Sequence, residues 1–255
     1  RSLCEPFNVD FTDETTVDKM IAWIRENTSN LEPSFSLDPE TIMAIINTID
    51  YRAAWYDEFM KEKNEKLPFH TLAGDIDAEY MTQKKEFTTY YRGDGFARAT
   101  LRLAEGGEMI FVLPDENTTL SELLSRENAL STLLEGGESR DADITYRIPK
   151  FRFSSDFDLA PLIKTLGAED IFTERADFSA MTAQPAAVSQ IKQQSFIEVN
   201  EKGVAASAYT MIDAVAMGLP PEGLEQLDFT LNRPFLYAIT ADGGALMFVG
   251  TVYAP

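Results

Sequence analysis

The chain has 255 residues, enough for one large domain or two small ones, and its 44% hydrophobic and 25% charged residues are an ordinary globular balance. A formal net charge of −20 argues against nucleic acid and anionic membrane surfaces as partners. The single cysteine, Cys4, allows no internal disulfide and lies in no nucleophile motif, and no apolar run is long enough to span a bilayer.

Arg1-Ser-Leu-Cys-Glu-Pro6 lacks the apolar centre of a signal peptide. Val17, Met20, Ile21 and Ile24 recur at helical spacing behind Asp13 and Glu14, which predicts an amphipathic helix over 15–26, ended by Asn27-Thr-Ser-Asn30. The run 42–49 reads as a strand buried on both faces, and Asn47 inside it as a buried amide that ties neighbouring strands together. A polar connector is expected over 59–67, and strands over 86–92, 97–104 and 108–113. Gly93-Asp94-Gly95 and Gly106-Gly107 serve as their hairpin links.

Leu120 to Leu134 carry one or two short helices, stopped by Gly136-Gly137. Residues 142–153 alternate as a strand, 159–166 repeat as a helix ended by Gly167, and 194–200 form another strand. Three more strands are expected at 227–231, 235–240 and 245–252, the last two joined at Asp242-Gly243-Gly244. Strands and helices neither alternate regularly nor separate into blocks, so the fold class is α+β in a single domain over 1–255.

Motifs of catalysis are missing from the sequence. His70 is the only histidine, and a structural or solvated role suits it. Neither H-E-x-x-H, G-x-S-x-G, a Walker motif nor G-x-G-x-x-G occurs, so no catalytic residue, metal ligand or cofactor is assigned. Asn27-Thr28-Ser29 and Asn117-Thr118-Thr119 are sequons that matter only in a eukaryotic secretory context.

The stretch 198–221 differs from the rest. Glu201-Lys-Gly203 leads into the small residues Val204 to Ala208, then Met217-Gly218 and the stop Pro220-Pro221. Helix caps and a wide apolar face are both missing, so it reads as a long loop able to become a strand. This stretch resembles the hinge and reactive-centre loop of serpins. Further resemblances are Ile46-Asn47-Thr-Ile49 through Trp55 and Phe59, Met109 to Asp115, Ile148-Pro-Lys-Phe151, Leu166-Gly167, Ala176 to Ser179, Asn232-Arg-Pro-Phe235 and Leu246 to Pro255. Order and spacing together cover nearly the whole chain.

The resemblance implies a serpin-like fold of large mixed β-sheets with surrounding helices and an exposed loop. It implies a suicide-type inhibitor of serine endopeptidases rather than an enzyme, secreted, and monomeric before complex formation. The family's upstream part, about a hundred or more residues with several helices, has no counterpart here. Counting from Glu201 places the reactive bond at Met217-Gly218, with Ala216 as the alternative by a shift of one. Met217, Val215 and Ala216 favour an elastase-like target, or a chymotrypsin- or subtilisin-like one. The alternative reading is a non-inhibitory serpin-fold ligand carrier or chaperone.

The residues meet the demands of insertion. Gly203 suits a hinge, and Val204, Ala206, Ala208, Thr210 and Ile212 form one small or apolar face. The stretch from Gly203 to Leu219 contains no proline that would interrupt a ladder. About 12 inserted residues would gain on the order of 10 hydrogen bonds at about 1 kcal/mol net each. Asn47, Trp55 and Gln193 are the expected structural support in the core, Gln193 standing where many members carry a histidine and retaining both donor and acceptor.

Overall fold

A computed structural model describes residues 10, 13, 15–27, 43–181, 185–204 and 223–255. In chain order the elements are α1 (Thr15–Asn27), β1 (Met43–Asp50), β2 (Ala53–Ala54), β3 (Glu65–Thr71), β4 (Gly74–Gly93), β5 (Phe96–Arg102) and β6 (Glu108–Pro114). They continue with α2 (Leu120–Leu124), α3 (Ala129–Glu135), β7 (Glu138–Pro149), β8 (Phe151–Asp158), α4 (Ala160–Thr165), β9 (Val188–Asn200) and β10 (Gly203–Val204). The last three are β11 (Glu225–Thr230), β12 (Phe235–Thr240) and β13 (Leu246–Val252). The fold is α+β with mixed sheets. By contacts it divides into two compact units, residues 1–51 with 153–197, and residues 52–152 with 198–255.

In the first unit β1 and β9 pair in parallel, from Ala44 opposite Gln190 to Asp50 opposite Phe196. Ile24 of α1 and Phe196 of β9 form a small buried cluster joined by Trp23 and Ile46. The other face of β1 differs from the sequence expectation. Ile45 is 42% exposed and Asn47 is also exposed, so this strand is not buried on both faces and Asn47 is not a core amide. Alternation is the reason. Ile46 points to the side that α1 covers, so Ile45 and Asn47 point to the opposite side, where both are exposed.

The second unit is built on a sheet in the order β11-β7-β4-β5-β6-β12-β13, with β3 paired to β4. The β11–β7 pair is parallel, and the others are antiparallel. Its centre is covered on both faces, which is why β6 and β12 read as continuous apolar runs. One face packs Ile110, Val112, Leu236 and Ala238 against Leu120 and Leu123 of α2 and Leu133 of α3. On the other, Phe235 meets Phe69, Phe111 and Phe151 at centroid distances of 6.4, 6.3 and 6.0 Å. Thr119 and Glu122 close a capping box that starts α2. The expected connector over 59–67 is shorter than its polarity suggested, because Glu65 already pairs with Tyr80 at the start of β3.

Candidate functional site

The candidate site forms where β9 ends. Lys202 N–H donates to Asn200 Oδ1 at 3.0 Å, an Asx turn that reverses the chain into β10. Gly203 then pairs with Asn200 on one side and Ala54 on the other, and Val204 with Val199 and Ala53. β10 is thus a two-residue wedge between the end of β9 and β2, antiparallel to both. Only glycine fits the first position. Gly203 has φ +145°, and a Cβ there would lie 2.2 Å from the Ala53 carbonyl oxygen and 2.7 Å from Ala54 Cα. Val204, 2% exposed, is the first apolar residue of the wedge.

Trp55 and Phe59 hold this turn by its backbone. The Trp55 indole N–H donates to Asn200 O at 2.8 Å, the Trp55 backbone N–H to Lys202 O at 2.9 Å, and the Phe59 N–H to Glu201 O at 3.0 Å. Three consecutive carbonyls are therefore satisfied by one short segment. The Trp55 ring is 1% exposed and meets Phe59 edge-on at 5.8 Å.

The Glu201 side chain is tied separately. Asn64 Nδ2 and Lys150 Nζ both donate to its Oε1, the lysine at 3.2 Å. Lys150 also reaches Glu79 Oε2 at 2.9 Å, and Asn64 donates to Glu79 Oε1 at 3.1 Å. Burial pushes the Glu201 carboxyl up, but its backbone hydrogen bond, Asn64 and Lys150 outweigh this and hold it below the usual carboxylate range. Burial likewise pulls Lys150 down, and its bonds to Glu79 and Glu201 leave it raised. This arrangement fixes the turn from Asn200 to Gly203.

Of the residues singled out from the sequence, Trp55, Glu201, Gly203 and Val204 come together here. Gln193 is half-buried and stands opposite Asn47 in the β1–β9 register. Ala206, Ala208, Thr210, Ile212, Met217 and Gly218 lie outside the described residues, as does Cys4. His70 sits on β3 with its exposed ring against Asp75, Nδ1 to Oδ1 2.8 Å. Among the described residues no group of three or more His, Cys, Asp or Glu side chains could hold a metal ion, and no helix is long and apolar enough to cross a membrane. Sequence reasoning missed Asn64 and Glu79, which only long-range pairing brings to Glu201. Lys150 stood within a recognised motif but carried no signal of its partner.

A family model described as serpin, serine protease inhibitor, matches residues 3–255. The barley (Hordeum vulgare) protein Serpin-Z4 is 31% identical over 269 residues, covering 97% of this chain and 66% of its own length. The solved structure of Serpin48, described as a highly specific serpin in the insect Tenebrio molitor, superposes with a TM-score of 0.80 at 26% identity, covering 97% of this chain and 67% of that one. Human thyroxine-binding globulin in complex with its hormone gives a TM-score of 0.78 at 22% identity, over 98% of this chain and 67% of that one. The chain spans about two thirds of the length of the curated relatives it matches.

Proposed function

The chain belongs to the serpin family, and from that premise we propose that it inhibits serine endopeptidases of elastase-like preference by trapping them on a cleaved loop. Serpins as a class act on serine proteases; the target, the bond and the mechanism are this proposal's own. The observation that carries it is the wedge: Gly203 and Val204 lie between Val199–Asn200 of β9 and Ala53–Ala54 of β2.

The pairing supports a definite path. In a continued register, 208 would stand opposite Ser195 and Ile49, 210 opposite Gln193 and Asn47, and 212 opposite Ile191 and Ile45. The two flanking strands agree on this at every position from Asp50 to Ala44, so one inserted strand satisfies both ladders. Thr210 would then join Asn47 and Gln193 in a row of three polar side chains. The alternate face, with Tyr209 and Met211, would meet the side that α1 covers.

In the proposed reaction the protease serine Oγ attacks the Met217 carbonyl carbon. The amide bond to Gly218 breaks, its nitrogen leaves with a proton, and an ester links protease to loop. Insertion carries that ester away, and a misplacement of about 1 Å already slows deacylation on the order of a hundredfold. The same proposal includes action outside the cell and a monomer before complex formation, on family likeness.

The test is to mix the chain with an elastase-like protease and run denaturing gels. An SDS-resistant complex, with mass spectrometry finding cleavage at 217–218, supports the reading; clean turnover or cleavage outside 215–219 sinks it. A second reading, a non-inhibitory ligand carrier, is favoured only by the likeness to thyroxine-binding globulin, a likeness of fold. Saturable ligand binding without protease complex would support that second reading.

A further inference from the structure

The 20-residue strand β4 breaks its register with β7 between Lys85 and Thr88. Lys85 stands opposite Ile144 and Thr88 opposite Ala142, so Glu86 and Phe87 together face Asp143 in a β-bulge. Phe87 takes a φ of +50°, one of two non-glycine residues in the left-handed region among the described residues. That conformation costs any L side chain and is free to glycine.

Asp143 holds the bulge in place. The Phe87 N–H donates to its Oδ1 at 3.0 Å, and Gln226 Nε2 of β11 donates to its Oδ2 at 2.9 Å. Gln226 first and the Phe87 N–H second keep its carboxyl below the usual range.

The consequence is a ring aimed at water. Phe87 is 55% exposed, whereas Tyr80 and Tyr90 on the same strand are 0% and 2% exposed and Tyr91 is half-buried. Two unfavourable features meet in one residue, a strained backbone and a solvated ring, and neither helps the fold. Glycine would relax the bulge, and a polar side chain would suit the surface. Strain kept by its surroundings at a displayed side chain is a mark of function.

The surroundings define the partner. Glu86 precedes Phe87 in the bulge, Asp143 accepts its N–H, and Asp141 accepts from Thr89 two residues on; the ammonium of Lys84 is shared between Glu86 and Asp143, at 3.7 Å from each. Lys85 is engaged by Asp57. The local balance is acidic, on a chain of net charge −20.

Resting on the inhibitor reading, we propose that Phe87 is an accessory docking residue for the target protease, its ring entering an apolar pocket rimmed by basic residues. An anchoring aromatic supplies contact area at small entropic cost, and opposite charge steers the encounter. A second copy of the chain fits poorly, because its own charge repels it.

The test uses the full chain and the variants Phe87→Gly and Phe87→Trp. The second-order rate of SDS-resistant complex formation is measured with a basic elastase and with an acidic subtilisin-type protease, alongside thermal unfolding. Phe87→Gly is expected to slow reaction with the basic enzyme about tenfold, to spare the acidic one, and to leave the unfolding midpoint equal or higher. Phe87→Trp is expected to restore the rate. Equal rates for wild type and Phe87→Gly overturn the docking role while leaving the inhibitor reading intact. No complex with either enzyme in the wild type overturns both. Equal slowing with both enzymes overturns the basic rim, and a lower midpoint for Phe87→Gly overturns the strain argument.

Discussion

The two ends of β9 are held in different ways. At its C-terminal end, Val199 and Asn200 flank a wedge whose backbone carbonyls are tied by Trp55 and Phe59 and whose glutamate is held by Lys150 and Asn64. Over 188–196 the strand carries Gln190, Lys192, Gln193, Gln194 and Ser195 and pairs in parallel with β1, the less stable ladder per residue. There the Gln194 side chain is 5% exposed, and its Oε1 is buried without a hydrogen-bond partner among the described residues. On the proposed mechanism the loop would part β9 from β1 and leave the Glu201 turn fixed. Each place holds one buried acceptor without a partner among the described residues, Asn64 Oδ1 beside Glu201 and Gln194 Oε1 in the β1–β9 ladder, so the contrast lies in the number of bonds that tie the turn.

The largest expected effect breaks the fixed end. Trp55→Ala removes a fully buried ring and the indole donor to Asn200, and should cost about 3–5 kcal/mol in chemical denaturation. Trp55→Phe keeps most of the packing and should cost about 1–2 kcal/mol, the share of the hydrogen bond and the lost volume. If the two variants unfold at the same denaturant concentration, the tryptophan does not hold the turn by packing. Gly203→Ala comes next. Its Cβ would overlap the Ala53 carbonyl at a backbone angle that alanine adopts with strain, for a loss of about 3 kcal/mol. A wild-type unfolding curve for that variant would mean that β2 moves aside without cost.

The ionic support of the hinge is smaller and depends on pH. Glu201 has a folded pKa below its usual 4.5, so its contribution is present above that value and is lost as pH falls through the folded pKa. Lys150 is raised above its usual 10.5, so its share is complete below that value and is lost only as pH rises past it. Glu201→Gln should therefore destabilise by about 1 kcal/mol at neutral pH and by less in acid. A stability difference that stays constant from neutral to acid pH would remove the charge from the explanation.

How much of this was legible follows from what each feature depends on. The strands over 108–113 and 235–240 could be read because their apolar runs have few other uses, and they form β6 and β12; the turn at Glu201 to Gly203 could be read because Glu-Lys-Gly precedes a run of small residues. Asn47 was misread because a strand's own sequence does not say what covers each face. The Glu201 partners were invisible for a related reason: Asn64 and Lys150 lie 137 and 51 residues away and meet it only through strand pairing. Phe87 carried no signal, since a phenylalanine in the left-handed region goes against its own propensity and is set by Asp143 across the bulge. The residues from 205 to 222 were the most informative in sequence and lie outside the described residues, so their role rests on the family and on the register of their neighbours.

The smallest effect sharpens the comparison most. Gln194→Leu removes the unpartnered Oε1 and keeps the side chain's bulk, at the loss of one donor to Asp156 at 3.2 Å. Lys192 also reaches Asp156, at 3.6 Å, so that carboxylate keeps a partner. Removing an unsatisfied buried acceptor while giving up one hydrogen bond should leave stability unchanged or raise it by up to about 1 kcal/mol. The kinetic effect should be the reverse. On the proposed mechanism, a seam that costs more to open slows strand entry, the ester has longer to hydrolyse, and more of the chain is consumed as cleaved product per complex formed. Titration of a protease against wild type and Gln194→Leu measures that ratio directly. A variant that is more stable and yet traps protease as economically as the wild type would show that the polar seam has no part in opening, leaving the hinge alone to control the loop.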